Sequence, residues 1–188
     1  MIQIKNAAEL QKMRKACAIS AAALKAGGEA IEPGITTAEI DKIIYDFIVR
    51  HGARPNFLHL YGFPATACIS VNDTVIHGIP TRQQQIRPGD IVSIDTGCKI
   101  DGFNGDNACT YGCGKLDLEA QRLLDVTKES LHRGIEMARG GNRVGDIGHA
   151  VQSYVEENGF SVVRSFVGHG VGKELHEDPE VPNFGNAG

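Results

Sequence analysis

The sequence predicts an α+β fold that is built twice along the chain. Two capped, amphipathic helices open the first half, and a helix pair with the same pattern recurs 107 residues later. Strand-like runs separate the two helix pairs, and an Asp-Gly turn at 101–102 marks a β-hairpin. We expect one domain over residues 1–188, with a first half over about 6–111 and a second over about 114–188.

Local signals place the four helices. Asn6 can cap the first helix, and Glu9 completes its capping box. Thr36 and Glu39 have the same roles in the second helix. Glycines at 27–28 and 52 are read as stop signals. The helices are therefore expected at about 6–28, 36–52, 117–135 and 142–158.

Short apolar and β-branched runs predict strands between the helices. Runs at 66–71, 91–95 and 161–167 have strand composition, and turn signals follow the first and precede the second. A fourth apolar run ends at His77-Gly78, which would place an imidazole at the rim of a pocket.

The repeat is carried by matched apolar positions and matched glycines. At a shift of 107 residues, the pairs are Leu24 and Leu131, Gly27 and Gly134, Ile40 and Ile147, Ile44 and Val151, Phe47 and Tyr154, Ile48 and Val155, and Gly52 and Gly159. Any two amphipathic helices can be aligned in this way, but one shift serves both pairs and both glycines. In this frame the sequence stops where a second hairpin should begin, and a partner of Asp95 would lie beyond Gly188.

Composition excludes several classes of protein. The apolar fraction of 41%, the charged fraction of 22% and the net charge of −4 are those of a globular chain without a basic surface for nucleic acid or membranes. No apolar run approaches the roughly 20 residues of a membrane span, and the N-terminus lacks a signal-peptide core. Five scattered cysteines favour free thiols in a reducing cytoplasm, where we expect the protein.

Two aspartates follow from the hairpin register. With Asp101-Gly102 as the loop, Asp95 lies opposite Ala108, so Asp106 shares its face on the diagonal. Two ionised carboxylates there repel, so they need a cation between them or a proton on one of them. Carboxylates from two strands suit one or two divalent metals, although exposed aspartates are also common near turns.

Histidines form the second group of candidates. His169 lies between glycines, which allow close approach of a ligand, and His176 follows seven residues later. A single histidine near a turn is usually only solvated. Two histidines in one glycine-rich segment indicate a site, and His77, at the end of the apolar run 75–76, is a third candidate for it.

Five segments together resemble type I methionine aminopeptidase, in that family's order and spacing and across the whole chain. They are Ser70-Val71-Asn72-Asp73 with His77-Gly78-Ile79-Pro80, Asp90 to Gly97, Asp101 to Asp106, Gly168 to Gly172, and Val181 to Phe184. The resemblance implies a pita-bread fold, in which two pseudo-symmetric α/β halves surround a dinuclear metal centre. Against that family, we expect the second half to be truncated here, without its C-terminal strands.

The resemblance also implies the site and its chemistry. Asp95, Asp106 and His169 match three of the family's five metal ligands, with Asp106 bridging two divalent ions, which could be Mn, Fe, Co or Zn. A hydroxide shared by the metals would attack the carbonyl that follows the N-terminal methionine. His77 would assist the leaving amine, and His176 would stabilise the oxyanion.

The substrate pocket and the end of the chain qualify this expectation. Phe63 and Cys68 match the apolar wall of the methionine pocket, and His77 and His176 are expected to bind the substrate at its scissile amide and carbonyl. Leu60 stands where the family commonly has tyrosine. The family's two glutamate ligands, one of them its general base, fall after Gly188. We therefore expect these 188 residues by themselves to be inactive and poorly soluble.

Three functions remain open. The first is removal of the N-terminal methionine from nascent chains by a cytoplasmic monomer, with ribosome association left open. The second is a catalytically inactive, truncated paralogue that binds peptide or a protein partner. The third is a related pita-bread hydrolase that acts before proline or on creatine. Such hydrolases usually carry a large N-terminal domain, whereas this sequence starts directly with the catalytic half.

Overall fold

A computed structural model describes all residues, 1–188, as two compact units. One unit comprises residues 3–117 and 171–175, and we call it the sheet unit. The other comprises residues 1–2, 118–170 and 176–188, and we call it the helix-pair unit. The elements in chain order are α1 (Ala7–Glu29), α2 (Thr37–Arg50), β1 (Arg54–Pro55), β2 (Ala67–Val71), β3 (Ile91–Ile100), β4 (Phe103–Gly112), α3 (Leu118–Met137), α4 (Val144–Glu157), β5 (Gly168–Gly170) and β6 (Glu177–Val181).

The sheet unit places two helices against one face of an antiparallel sheet. The long strand β3 pairs with β4 along its whole length, and β1 and β2 pair with its other edge. Alternate residues of β3 enter the core, including Val92, Ile94 and Cys98, which are all fully buried beside α2 residues such as Ile44. The opposite face of β3 therefore carries Ser93, Asp95 and Lys99.

Both helices of the sheet unit begin as the sequence predicts. The Asn6 side chain accepts from the Glu9 N–H at 3.0 Å, and Thr36 accepts from the Glu39 N–H at 3.2 Å. The predicted stop at 27–28 is wrong, because α1 continues to Glu29. Both glycines lie inside the helix at close contacts: a Cβ on Gly28, for example, would lie 2.2 Å from the Tyr111 ring.

The helix-pair unit contains α3, α4 and the two-stranded sheet of β5 and β6. Its buried apolar side chains are Val126 and Val155, where α3 packs on α4. The strand predicted over 161–167 is wrong, since only Gly168–Gly170 forms β5. The matching segment of the sheet unit, Arg54–Pro55, is a strand because β3 pairs with it, and 161–167 pairs with no strand. None of the four helices is long and apolar enough to cross a membrane.

Candidate metal centre

The β3–β4 hairpin carries the two predicted aspartates in the predicted register. Asp101 and Gly102 form the two-residue turn, with φ of 54° and 82°. Asp95 lies opposite Ala108, and Asp106 lies opposite Gly97. Both carboxylates therefore project from one face, on the diagonal, as the sequence analysis predicted.

The charges of both carboxylates affect the pKa of a thiol on the neighbouring strand, that of Cys68. Cys68 pairs with Asp95 across the other edge of β3, so its side chain lies on the same face. Burial, and then the negative charges of Asp95, Asp106 and Asp41, raise the pKa of the Cys68 thiol to about 12. The thiol therefore stays neutral at physiological pH, on a face of negative potential that favours a cation.

Glycines allow close contacts on both faces of the β3–β4 hairpin, since Gly97 lies on the carboxylate face and Gly105 lies on the face that packs on α1. A Cβ on Gly97 would lie 2.8 Å from the Gly105 carbonyl oxygen and 3.4 Å from an Asp106 carboxylate oxygen. A Cβ on Gly105 would lie 2.6 Å from the backbone of Ala16 in α1. Since backbone atoms cannot yield, larger residues would displace the strand that carries Asp106.

His77 is held in an uncommon backbone conformation beside β2. Its φ of 57° lies in the left-handed region, which few residues other than glycine adopt. The next residue, Gly78, donates its N–H to the Ser70 hydroxyl at 3.1 Å and accepts from the Ile69 N–H at 2.8 Å. The predicted strand before His77 is wrong, because residues 75–77 form no strand, and it is these bonds that fix the loop. Such strain is typical of functional positions.

Asp41 and Ser70 support this region, although neither belongs to a motif of the sequence that indicates a site. The Asp41 carboxylate accepts from the N–H groups of Thr66 and Ala67, at 2.9 and 2.8 Å, and so holds the start of β2. Burial raises its pKa, against the effect of these two bonds. The available signal for Asp41 was a charged residue directly after Ile40, in the apolar pattern of α2.

The helix-pair unit holds His169 and His176 together. The two rings lie 4.5 Å apart between centroids, tilted by 59°. The Nδ1 of His169 lies 2.8 Å from the Gly170 carbonyl oxygen. Because a carbonyl can only accept, Nδ1 carries the proton of the neutral ring and Nε2 carries the lone pair that metals bind. A Cβ at position 170 would lie 2.4 Å from the backbone carbonyl oxygen of Asp178, so this position requires glycine.

The predicted pocket residues lie on different elements of the sheet unit. Phe63 follows a short 3₁₀ turn (Leu60–Gly62), is half-buried, and is fixed by backbone hydrogen bonds with Leu60 and His59. Cys68 is buried in β2. Tyr61, next to Leu60, is almost fully exposed.

The donor chemistry of the predicted ligands fits a divalent metal. Two carboxylates on one sheet face and an imidazole whose Nε2 carries the lone pair are ligands that Mn, Fe, Co and Zn accept. No three His, Cys, Asp or Glu side chains of the chain converge closely enough to hold a metal ion by themselves. The structure thus brings together Asp95, Asp106 and Cys68 in one unit, and His169 and His176 in the other.

Known proteins resemble the chain over its whole length. Residues 11–188 match the model of metallopeptidase family M24. A methionine aminopeptidase of Clostridium perfringens is 53% identical over 188 residues, which are all of this chain and 75% of that protein. The crystal structure of methionine aminopeptidase from Thermotoga maritima superposes with a TM-score of 0.98 at 41% identity, over 100% of this chain and 76% of that one.

A prolidase from Pyrococcus furiosus shares the fold alone, with a TM-score of 0.83 at 23% identity over 98% of this chain and 53% of that one. The predicted α+β pita-bread fold and the predicted resemblance to methionine aminopeptidases are both confirmed. With a family match that begins at residue 11 and continues to the last residue, the chain belongs to metallopeptidase family M24 and is a hydrolase of the peptidase class.

Proposed function

We propose that the protein removes the N-terminal methionine from nascent proteins and peptides. The observation that carries this proposal is the identity of 53% over the whole chain to a methionine aminopeptidase. Two acidic residues on one face of β3 and β4 support it, because peptide hydrolysis by this family depends on a metal. The prolidase likeness, at 23% identity, carries no argument for cleavage next to proline.

Asp95, Asp106 and His169 are the proposed metal ligands. Each offers an oxygen or nitrogen donor, and the hairpin holds the two carboxylates in fixed register. Divalent ions bound there would polarise the scissile carbonyl and lower the pKa of water. The nature of the metal and the presence of two ions stay predictions.

Two histidines have proposed roles on the substrate. His77, on its strained loop, would lie at the scissile amide and hold a proton for the leaving amine. His176 would donate a hydrogen bond to the carbonyl oxygen as negative charge develops there. Its contact with the His169 ring, at 4.5 Å, supports a fixed orientation for this donor.

Phe63 and Cys68 are the proposed wall of the methionine pocket. Because the pKa of Cys68 is about 12, its thiol is neutral and behaves as a small, polarisable apolar group. Such a wall suits a thioether and disfavours charged side chains. The cytoplasmic location, the monomeric state and any association with the ribosome stay predictions.

The test uses the native gene product, with its intact mass measured first. We expect metal-dependent release of methionine from Met-Ala-Ser, and no release of lysine from Lys-Ala-Ser. Asp106→Asn should lower the rate of methionine release by more than about 100-fold. Loss of a residue that only hydrogen-bonds to a metal ligand already lowers metal affinity or activity by about 10–100-fold. Asp101→Asn is the matched control in the same hairpin, at an exposed turn position, and should leave the rate unchanged.

A second candidate function is peptide binding without turnover. It corresponds to the truncated, catalytically inactive paralogue that the sequence also allows. Calorimetric binding of Met-Ala-Ser without methionine release, for a native product of 20.2 kDa, would favour this reading. Release that EDTA abolishes and Mn²⁺ or Co²⁺ restores would rule it out.

A further inference from the structure

A five-residue segment, Val171–Leu175, belongs to the sheet unit although the residues on both sides of it belong to the helix-pair unit. We call this segment the strap. His169 precedes the strap by two residues, and His176 follows it directly. Whatever fixes the strap therefore limits where the chain can place these two histidines.

Asn104 of β4 is the main anchor of the strap. Its backbone N–H donates to the Gly172 carbonyl at 2.8 Å, and its side-chain Nδ2 donates to the carbonyls of Gly172 and Lys173, both at 2.9 Å. Asn104 is only 2% exposed, and Gly172 is also buried. One residue thus donates three hydrogen bonds to two successive carbonyls of the strap, and the side-chain bond to Gly172 is buried.

Charged side chains at the edge of the strap are less important. Lys99 donates to the Lys173 carbonyl at 2.6 Å, and Lys173 pairs with Glu9 at 2.8 Å. The Lys173 side chain is 64% exposed, so water and salt screen this pair. The buried amide of Asn104 is therefore the contact whose loss would release the strap.

We propose that Asn104, which lies two residues before Asp106 in β4, is a positioning residue. It holds the strap in place and thereby orients His169 and His176. This inference rests on the proposed function, because it assigns those histidines a role in metal and substrate binding. The Asn104 backbone pairs with Lys99 of β3, and the hydrogen bonds of its side chain go to the strap. Asn104 therefore acts on the two histidines through the strap and not by contact with them.

The chain offers a matched pair of substitutions. Asn104→Asp replaces the donating Nδ2 with an oxygen that repels both carbonyls. Asn107→Asp makes the same chemical change nearer to Asp106, but keeps the oxygen that accepts from the Ser20 hydroxyl at 2.6 Å. An effect that comes only from a new negative charge near Asp106 would thus appear in both Asn104→Asp and Asn107→Asp. Asn104→Ser and Asn107→Ser repeat the comparison without a buried charge, should Asn104→Asp fail to fold.

Three measurements on the native gene product test the proposal. Hydrogen exchange by mass spectrometry reports the strap, NMR of the imidazole Cε1–H groups reports His169 and His176, and calorimetry reports Mn²⁺ affinity. In Asn104→Asp we expect faster strap exchange, shifted resonances for both histidines, and a loss of Mn²⁺ affinity of about 10–100-fold. The Asn107 variants should match the parent protein in all three.

Several outcomes would overturn the inference. They are unchanged strap exchange in the Asn104 variants, faster exchange with unmoved histidine resonances, or an equal loss of Mn²⁺ affinity in the Asn107 variants. Failure of the proposed function is distinguishable. If the parent protein releases no methionine, that function fails, while exchange and histidine resonances still decide the positioning role, since neither needs turnover.

Discussion

The two helix pairs of the molecule show the same local packing in different surroundings. A shift of 107 residues carries α2 (Thr37–Arg50) onto α4 (Val144–Glu157), end to end. In the first pair, a Cβ on Gly27 would lie 2.7 Å from Ile44, and in the second a Cβ on Gly134 would lie 2.9 Å from Val151. Each glycine thus allows the same close helix contact, which supports a true internal repeat.

The surroundings of the two pairs decide how much each helix buries. Leu24 of α1 is 6% exposed, in a core that the four-stranded sheet completes. Its counterpart Leu131 of α3 is 58% exposed. Sequence pattern therefore specifies which face of a helix is apolar, and only the partner element determines whether that face leaves water.

The largest expected difference between the pairs comes from shortening these leucines. Leu24→Ala should lower the free energy of unfolding by about 2–5 kcal/mol, because it leaves a cavity in a packed core. Leu131→Ala should change it by less than about 0.5 kcal/mol, because the side chain already meets water. Urea unfolding of both variants measures this, and equal losses would show that α3 is covered in solution.

A second contrast concerns what holds the chain beside α2 and α4. Asp41 accepts two backbone N–H groups at the start of β2, whereas its counterpart Gly148 has no side chain. A Cβ on Gly148 would lie 2.4 Å from the Phe184 carbonyl oxygen. The same helix position thus binds donors through a carboxylate in one unit and admits a carbonyl by close approach in the other.

Asp41→Ala should cost about 1–3 kcal/mol, because two buried N–H groups lose their acceptor. Asp41→Asn keeps an acceptor oxygen and should cost less. The pKa of Asp41 is raised by burial, so the folded state holds its proton more tightly than the unfolded state. The Asp41 contribution to stability therefore falls as pH rises from about 3.8 through the folded pKa, and Asp41→Asn should remove this fall from the urea midpoints.

The sequence predicted what depends on local chemistry. The caps at Asn6 and Thr36 and the Asp101-Gly102 turn each act within a few residues, and the turn alone fixed the register that brings Asp95 and Asp106 to one face. All of these signals are readable without knowledge of the rest of the fold.

The errors arose where distant partners decide. Gly27-Gly28 looked like a helix stop, but Ile44 and Tyr111 require glycine inside α1. The run 161–167 had strand composition but no strand to pair with. Asn104 gave no signal, because its role depends on a strap 68 residues further along the chain. Burial and partners at such separations cannot be read from a single sequence.

Capping offers a smaller contrast between the pairs. Thr36 caps α2 through its hydroxyl, which accepts from the Glu39 N–H, whereas its counterpart Arg143 carries only donors. Thr36→Ala should therefore cost about 1 kcal/mol, and Arg143→Ala should change stability by only a few tenths of a kcal/mol. Thermal unfolding measures both, and an equal cost would mean that Arg143 stabilises α4 in some other way.

The smallest expected effect is a difference in titration between the two acids of the capping boxes. The Thr36 side chain is the main cause that lowers the pKa of Glu39, whereas backbone N–H groups of Arg143 and Gly188 lower that of Asp146. Both acids thus stabilise the fold above their unfolded pKa values, and this contribution is lost as pH falls through the lower folded values. Thr36→Val should raise the pKa of Glu39 towards its ordinary value, while Arg143→Val keeps the donating N–H and should leave Asp146 near its present value. Carboxyl titration by ¹³C NMR separates the two cases, and a Glu39 pKa unmoved by Thr36→Val would show that the backbone N–H of residue 36, and not its hydroxyl, sets the charge at the start of α2.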